Sequence, residues 1–180
     1  MSGLIQYYVA SSVDGFIADA DDGIDWLLQF GFEAFQERYD AFLAGVGAVV
    51  MGSGTYAYLR RESPDSWGYE VPAWVLSSRE QPTIPGADIR FASGAVPDLL
   101  DDIRASAGGQ NVWVVGGGAV AAQFHAAGAL DELHLTVMPI VLGAGTPLLP
   151  IGDGPTPPLA LTRSEVVGPG AVELVYGLTG

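Results

Sequence analysis

The chain has 180 residues, a formal net charge of −14, 49% hydrophobic and 16% charged residues, no cysteine and no lysine, so that all seven of its basic residues are arginines. That length suits one domain with a sizeable core, and the composition is far from that of a disordered chain. The missing amine excludes a Schiff-base lysine, a pyridoxal site and a Walker-type phosphate loop, and the missing thiol excludes disulfides and thiolate nucleophiles; the negative field disfavours nucleic acid.

The start, Met-Ser-Gly, runs directly into an apolar segment without a basic leader or small-residue cleavage site, and glycine and polar residues interrupt every apolar stretch before bilayer length. A cytoplasmic protein without membrane association is expected. Residues 4–13 are rich in β-branched and aromatic side chains and stop at Asp14-Gly15, which predicts a central strand closing in a turn. Residues 19–25 form an acidic, glycine-containing loop. From Trp26 to Leu43, apolar residues at spacings of three and four predict one amphipathic helix.

Two short apolar runs follow, residues 47–51 and 72–76, each stopped by small or hydroxyl-bearing residues, and both are expected to be buried strands. Residues 97–107 start with proline, end at Gly108-Gly109 and predict a helix. Residues 112–115, three glycines, an alanine-rich helical stretch and a strand over residues 130–138 make the sharpest strand-helix-strand unit. Residues 159–166 and 171–178, on either side of Gly168-Pro169-Gly170, predict a terminal antiparallel hairpin. The expected architecture is α/β, a mostly parallel sheet flanked by helices with antiparallel strands at its C-terminal end, in a single domain spanning residues 1–180.

Gly116, Gly117 and Gly118, followed by Ala119 and Val120, lie between a buried strand and a helix. Glycine lets the backbone approach a pyrophosphate, and the helix presents free N–H groups and its positive dipole end. Such a turn also serves close packing alone. An ordinary Rossmann arrangement fits poorly, because it requires an acidic residue at the end of the next strand, whereas Asp131 and Glu132 come before its body. Gly52-Ser53-Gly54-Thr55 and Ser77-Ser78-Arg79 also follow predicted strands. Ligands collect beyond the carboxyl ends of such strands, so the three turns can converge on one ligand; taken singly, each also reads as a cap or turn.

The segments Ser12-Val13-Asp14-Gly15-Phe16, Asp25-Trp26-Leu27, Met51-Gly52 with Thr55-Tyr56, Leu76-Ser77-Ser78-Arg79, the glycine turn, and Asp131-Glu132-Leu133-His134 leading to Pro139 and Gly143-Ala144-Gly145 span nearly the whole chain. As a set they resemble the dihydrofolate-reductase-like family typified by the C-terminal reductase domain of bifunctional riboflavin-biosynthesis deaminase-reductases. The resemblance implies a central, mostly parallel eight-stranded sheet, NADPH as hydride donor and a homodimer. It further implies that Gly52 and Thr55 meet the cofactor's phosphates, Ser77, Ser78 and Arg79 its adenosine end, and Gly116, Gly117, Gly118, Ala119 and Val120 its pyrophosphate.

Two departures bear on specificity. Ser53 stands where reductases of this group often carry an arginine that holds adenosine phosphates, which leaves NADH as the other candidate, with Arg79 as a substitute grip. Phe16 stands where riboflavin-pathway reductases commonly carry a basic residue, which turns the expectation from a phosphoribosyl substrate toward a neutral, flat heterocycle. Hydride transfer also needs a proton source. Asp14 and Asp25 are the candidate acids, with Trp26 and Phe16 as substrate-facing side chains; a turn residue and a helix cap are the alternative readings of the two aspartates. The acidic loop does not match a calcium loop, and no metal is expected. A noncatalytic nucleotide-binding module on the same fold is the rival to a reductase.

Overall fold

A computed structural model describes residues 3–152 and 154–178. Its strands are β1 (Ile5–Ser12), β2 (Phe16–Ala18), β3 (Val46–Gly52), β4 (Ala73–Leu76), β5 (Ile89–Ala92), β6 (Asn111–Gly116), β7 (Glu132–Met138), β8 (Thr146–Pro147), β9 (Ala160–Val167) and β10 (Ala171–Gly177). Its helices are α1 (Asp25–Leu28), α2 (Gln36–Leu43), α3 (Ser53–Glu62), α4 (Val96–Ser106) and α5 (Gly118–Ala126).

Eight strands make one sheet in the order β5-β4-β3-β6-β1-β7-β10-β9, and β2 pairs with β8 in a separate two-stranded ribbon. Every pairing from β5 across to β7 is parallel, and the last two, β7 with β10 and β10 with β9, are antiparallel. The expected eight-stranded dihydrofolate-reductase-like sheet with its C-terminal hairpin is therefore present. Six parallel strands end at the same edge, and helices must carry the chain back between them.

Side chains alternate across the sheet, so the two faces read directly from the register. Ile5 and Tyr7 of β1, with Val112 and Val114 of β6, point toward α4 and α5, where Ile103 and Phe124 are fully buried. Tyr8 and Trp113 point the other way, toward α2, and Met51 and Val75 of that same face toward Tyr56 of α3. Trp26 of α1 closes a third cluster with Met138 and Ala171.

Three expectations need correction. The helix expected from Trp26 to Leu43 is interrupted, because Gly31 turns the chain at φ +70 and separates α1 from α2. The stretch after Gly52 is not simply a turn but the ten-residue helix α3, with arginines in its last turn, where they face the negative dipole end. The four-residue edge strand β5 was not anticipated at all.

Candidate functional site

The site is built where the parallel strands end. Gly52 closes β3 and serves as N-cap of α3, while Gly116 closes β6 and leads through Gly117, the N-cap of α5. Neither helix has a side-chain cap, so the first amides of both lack intrahelical acceptors and present donors. The two ends adjoin: a Cβ on Gly116 would meet Thr55 Oγ1 at 3.3 Å, and one on Gly52 would meet Val120 Cγ2 at 3.1 Å.

The three successive glycines answer three different needs. Gly116 allows close approach to Thr55. Gly117 has φ +83, a left-handed conformation that a Cβ disfavours. Gly118 is pressed against the β8 segment, where a Cβ would lie 2.3 Å from the Pro147 carbonyl oxygen and 2.6 Å from that of Leu148. Gly118 therefore holds α5 against the ribbon, whereas Ala119 is exposed at the helix start and Val120 is buried beneath it.

Ser77, Ser78 and Arg79 follow β4, whose Leu76 lies beside Gly52 in register. The Ser77 hydroxyl donates to the Arg79 carbonyl at 2.6 Å and accepts from the Arg79 amide at 3.1 Å, a self-contained turn that leaves Ser78 and Arg79 exposed. The Arg79 guanidinium has no ion-pair partner among the described residues. Ser53 is exposed at the first position of α3, near the place where this turn emerges.

The opposite lip of the crevice is a knot of two distant segments. The Asp14 carboxylate accepts from the amides of Leu142 at 3.0 Å and Gly143 at 2.7 Å, and the Leu148 amide donates to the Gly15 carbonyl at 2.9 Å. Phe16 pairs with Pro147, and the Thr146 hydroxyl donates to Asp22 at 2.8 Å. Hydrogen bonding from the Ser12 hydroxyl, then from the Leu142 amide, lowers the Asp14 carboxyl to about 2. A carboxylate so stabilised in its ionised form is a poor proton donor, and its two bonds tie the turn after β1 to residues 142–143.

Asp25 begins α1, is exposed, and lies close enough to Tyr58 of α3 to help raise that phenol's pKa, after desolvation and Glu62. Trp26, expected to line the substrate pocket, is 7% exposed and packs against Met138, Ala171 and Ala10, so it anchors α1 to the sheet instead. Phe16, half-buried in β2, is on the lip. Tyr56 and Leu59 three apart, followed by Arg60 and Arg61, are the helical pattern that the Ser53-Gly54-Thr55 start of α3 obscures.

Residues 4–172 match the family described as the RibD C-terminal domain. The protein YwjB of Bacillus subtilis (strain 168) is 30% identical over 141 residues, covering 78% of this chain and 79% of its own. A Shewanella sp. PV-4 protein named for riboflavin biosynthesis has a crystal structure that matches with a TM-score of 0.84 at 26% identity, covering 98% of both chains. Dihydrofolate reductase of Enterococcus faecalis, solved in complex with NADP(H), matches in fold with a TM-score of 0.62 at 16% identity, over 98% of this chain and 97% of the other.

Proposed function

Because the chain belongs to the RibD C-terminal domain family, we propose that it is an NADPH-dependent reductase acting on a small heterocyclic or ribosylamino substrate. The observation that carries this reading is the pair of adjoining, uncapped helix N-termini at the ends of β3 and β6. Orphan amides and two positive dipole ends side by side suit a pyrophosphate. In a chain of net charge −14, such backbone donors offer anion affinity without relying on cations.

Within this reading Thr55 and the amides after Gly52 and Gly117 hold the phosphates, and Ser77, Ser78 and Arg79 receive the adenosine end. The unengaged Arg79 guanidinium takes the 2′-phosphate, the role that Ser53 cannot fill. NADPH, when bound, supplies the hydride. Asp25, exposed at the start of α1, is the candidate proton-handling group of this proposal. Phe16 gives the lip an apolar, uncharged wall, in keeping with a flat, neutral substrate.

The whole chain acts as one domain in this proposal, in the cytoplasm, and no helix among the described residues is long and apolar enough to cross a membrane. A second copy of the chain covers the exposed sheet face of the hairpin, where Val172 and Leu174 are half-buried and Val166 is 72% exposed. The test is calorimetric titration with NADPH and NADH, followed by loss of reduced-nicotinamide absorbance with dihydrofolate and with aminouracil ribosylamino and ribitylamino compounds. Failure to bind either nucleotide would overturn the proposal. Binding without turnover across the panel would favour the noncatalytic module, for which the absence of a basic residue at Phe16 speaks.

A further inference from the structure

In a chain with 21 acidic residues and seven arginines, a guanidinium can readily find a carboxylate, and one left without is conspicuous. Arg38 pairs with Glu165 and Glu173, Arg61 with Glu62, Arg90 with Asp88, Arg104 with Asp131 and Arg163 with Glu173. That leaves Arg60 and Arg79, neither of which has a carboxylate partner among the described residues. Arg79 is exposed, whereas Arg60 is half-buried, where an uncompensated charge is costly to keep.

The two belong to neighbouring parts of the fold. Leu76 lies beside Gly52 in register, so the start of α3 and the turn at Ser77 emerge together. Ser53, Ala57 and Arg60 share one face of α3. Long side chains on a helix lean toward its N-terminus, so the Arg60 arm reaches back toward the Ser53 end. Its guanidinium carbon accordingly lies 5.8 Å from the centroid of the Tyr56 ring, one turn earlier. Tyr56 is fully buried, and its hydroxyl donates at 2.7 Å to the carbonyl of Pro82, in the segment that follows Arg79. One side chain therefore ties α3 to that segment and carries Arg60 over its ring.

Nothing beside Arg60 neutralises it. Burial raises the Tyr56 phenol, so the ring beneath the guanidinium is uncharged at neutral pH. Glu62 is engaged by Arg61, and Glu80, exposed next to Arg79, pairs with neither arginine.

We propose that Arg60 is a second guanidinium for the 2′-phosphate of NADPH, acting from α3 as Arg79 does from the turn after β4. This rests on the reading of the crevice as a nucleotide site. A phosphate monoester accepts paired hydrogen bonds from more than one guanidinium, and Arg60 supplies from two turns along the helix the charge that Ser53 does not. Preference for NADPH over NADH is then set by side chains on two different elements.

The test is calorimetry of the intact chain with NADPH and NADH at two salt concentrations. Wild type prefers NADPH by about tenfold or more. Arg60→Met keeps the aliphatic packing on Tyr56, weakens NADPH by about tenfold and leaves NADH unchanged. It also makes NADPH affinity less sensitive to salt, because a screened charge pair is lost. Arg60→Lys retains the charge without the paired hydrogen bonds and falls between the two. Unchanged NADPH affinity in Arg60→Met would overturn the proposal, and so would equal losses for both nucleotides, the mark of a structural role. Equal binding of NADPH and NADH by wild type would overturn it while the crevice stands as a dinucleotide site; binding of neither would remove both readings. Should Arg60→Met not fold, Arg60→Lys decides, since an unchanged ratio of the two affinities there refutes the role.

Discussion

Replacing Gly118 with alanine is the sharpest probe of the glycine turn. The added methyl would lie 2.3 Å from the Pro147 carbonyl oxygen and 2.6 Å from that of Leu148, both main-chain atoms. Restoring ordinary contacts of about 3.5 Å requires roughly 1 Å of retreat by α5 or by the 147–148 segment. Neither is free to move. Leu148 is bonded to Gly15 through its amide and to the Tyr7 hydroxyl through its carbonyl, and Pro147 pairs with Phe16. Overpacking against a fixed backbone costs about 3 kcal/mol, which for a chain of this length lowers Tm by roughly 9 °C. Gly116→Ala meets only the Thr55 side chain, at 3.3 Å, so it costs about 1 kcal/mol and acts chiefly on nucleotide affinity. Thermal unfolding of the two variants and calorimetry with NADPH measure both quantities. If Gly118→Ala unfolds at the wild-type temperature, or if Gly116→Ala is the less stable of the two, the division of labour among these glycines is wrong.

Arg79→Ala is expected to weaken NADPH binding by about tenfold while leaving NADH unchanged, because only the former carries the 2′-phosphate; equal losses for both nucleotides would remove Arg79 from that role. The Asp14 carboxyl is lowered from 3.8 to about 2, so its stabilising effect is complete above the unfolded value and lost as pH falls through the folded one. Asp14→Asn should accordingly lower Tm at neutral pH, with the difference from wild type closing between about pH 4 and pH 2 in acid titrations. Glu173→Gln leaves two arginines facing each other at a mostly buried site and should cost about 2 kcal/mol in urea unfolding. Val166→Arg should shift the chain from dimer to monomer in analytical ultracentrifugation with its secondary structure unchanged; a wild-type monomer would remove the dimer from the functional proposal.

Local pattern reveals much of the sheet and less of the site. The run 112–115 with its glycines and alanines is legible because strand, turn and helix each follow their own period, and the hairpin 159–178 because two alternating stretches flank Gly168-Pro169-Gly170. Helix α3 was hidden by its composition: Ser53-Gly54-Thr55 at its start is a poor helix former, and burial of Tyr56 against the sheet overrides that propensity. The break at Gly31 was masked by apolar spacing that continues on both sides of it. The role of Asp14 is invisible to any local reading, since its partners Leu142 and Gly143 are 128 and 129 residues away. Trp26 looked available for a ligand because tryptophan suits both a pocket and a core; only the arrival of Met138 and Ala171 beside it decides for the core.

The knot at the crevice lip has a mechanical consequence. Residues 14–22 and 142–148 are fastened at Asp14, Gly15, Phe16 and Asp22, and Gly145 lies so close to the Ala18 carbonyl that a Cβ there would stand 2.0 Å from it. Segments joined at so many points cannot part like two independent fingers. They form one plate, and a displacement of either segment carries the other with it.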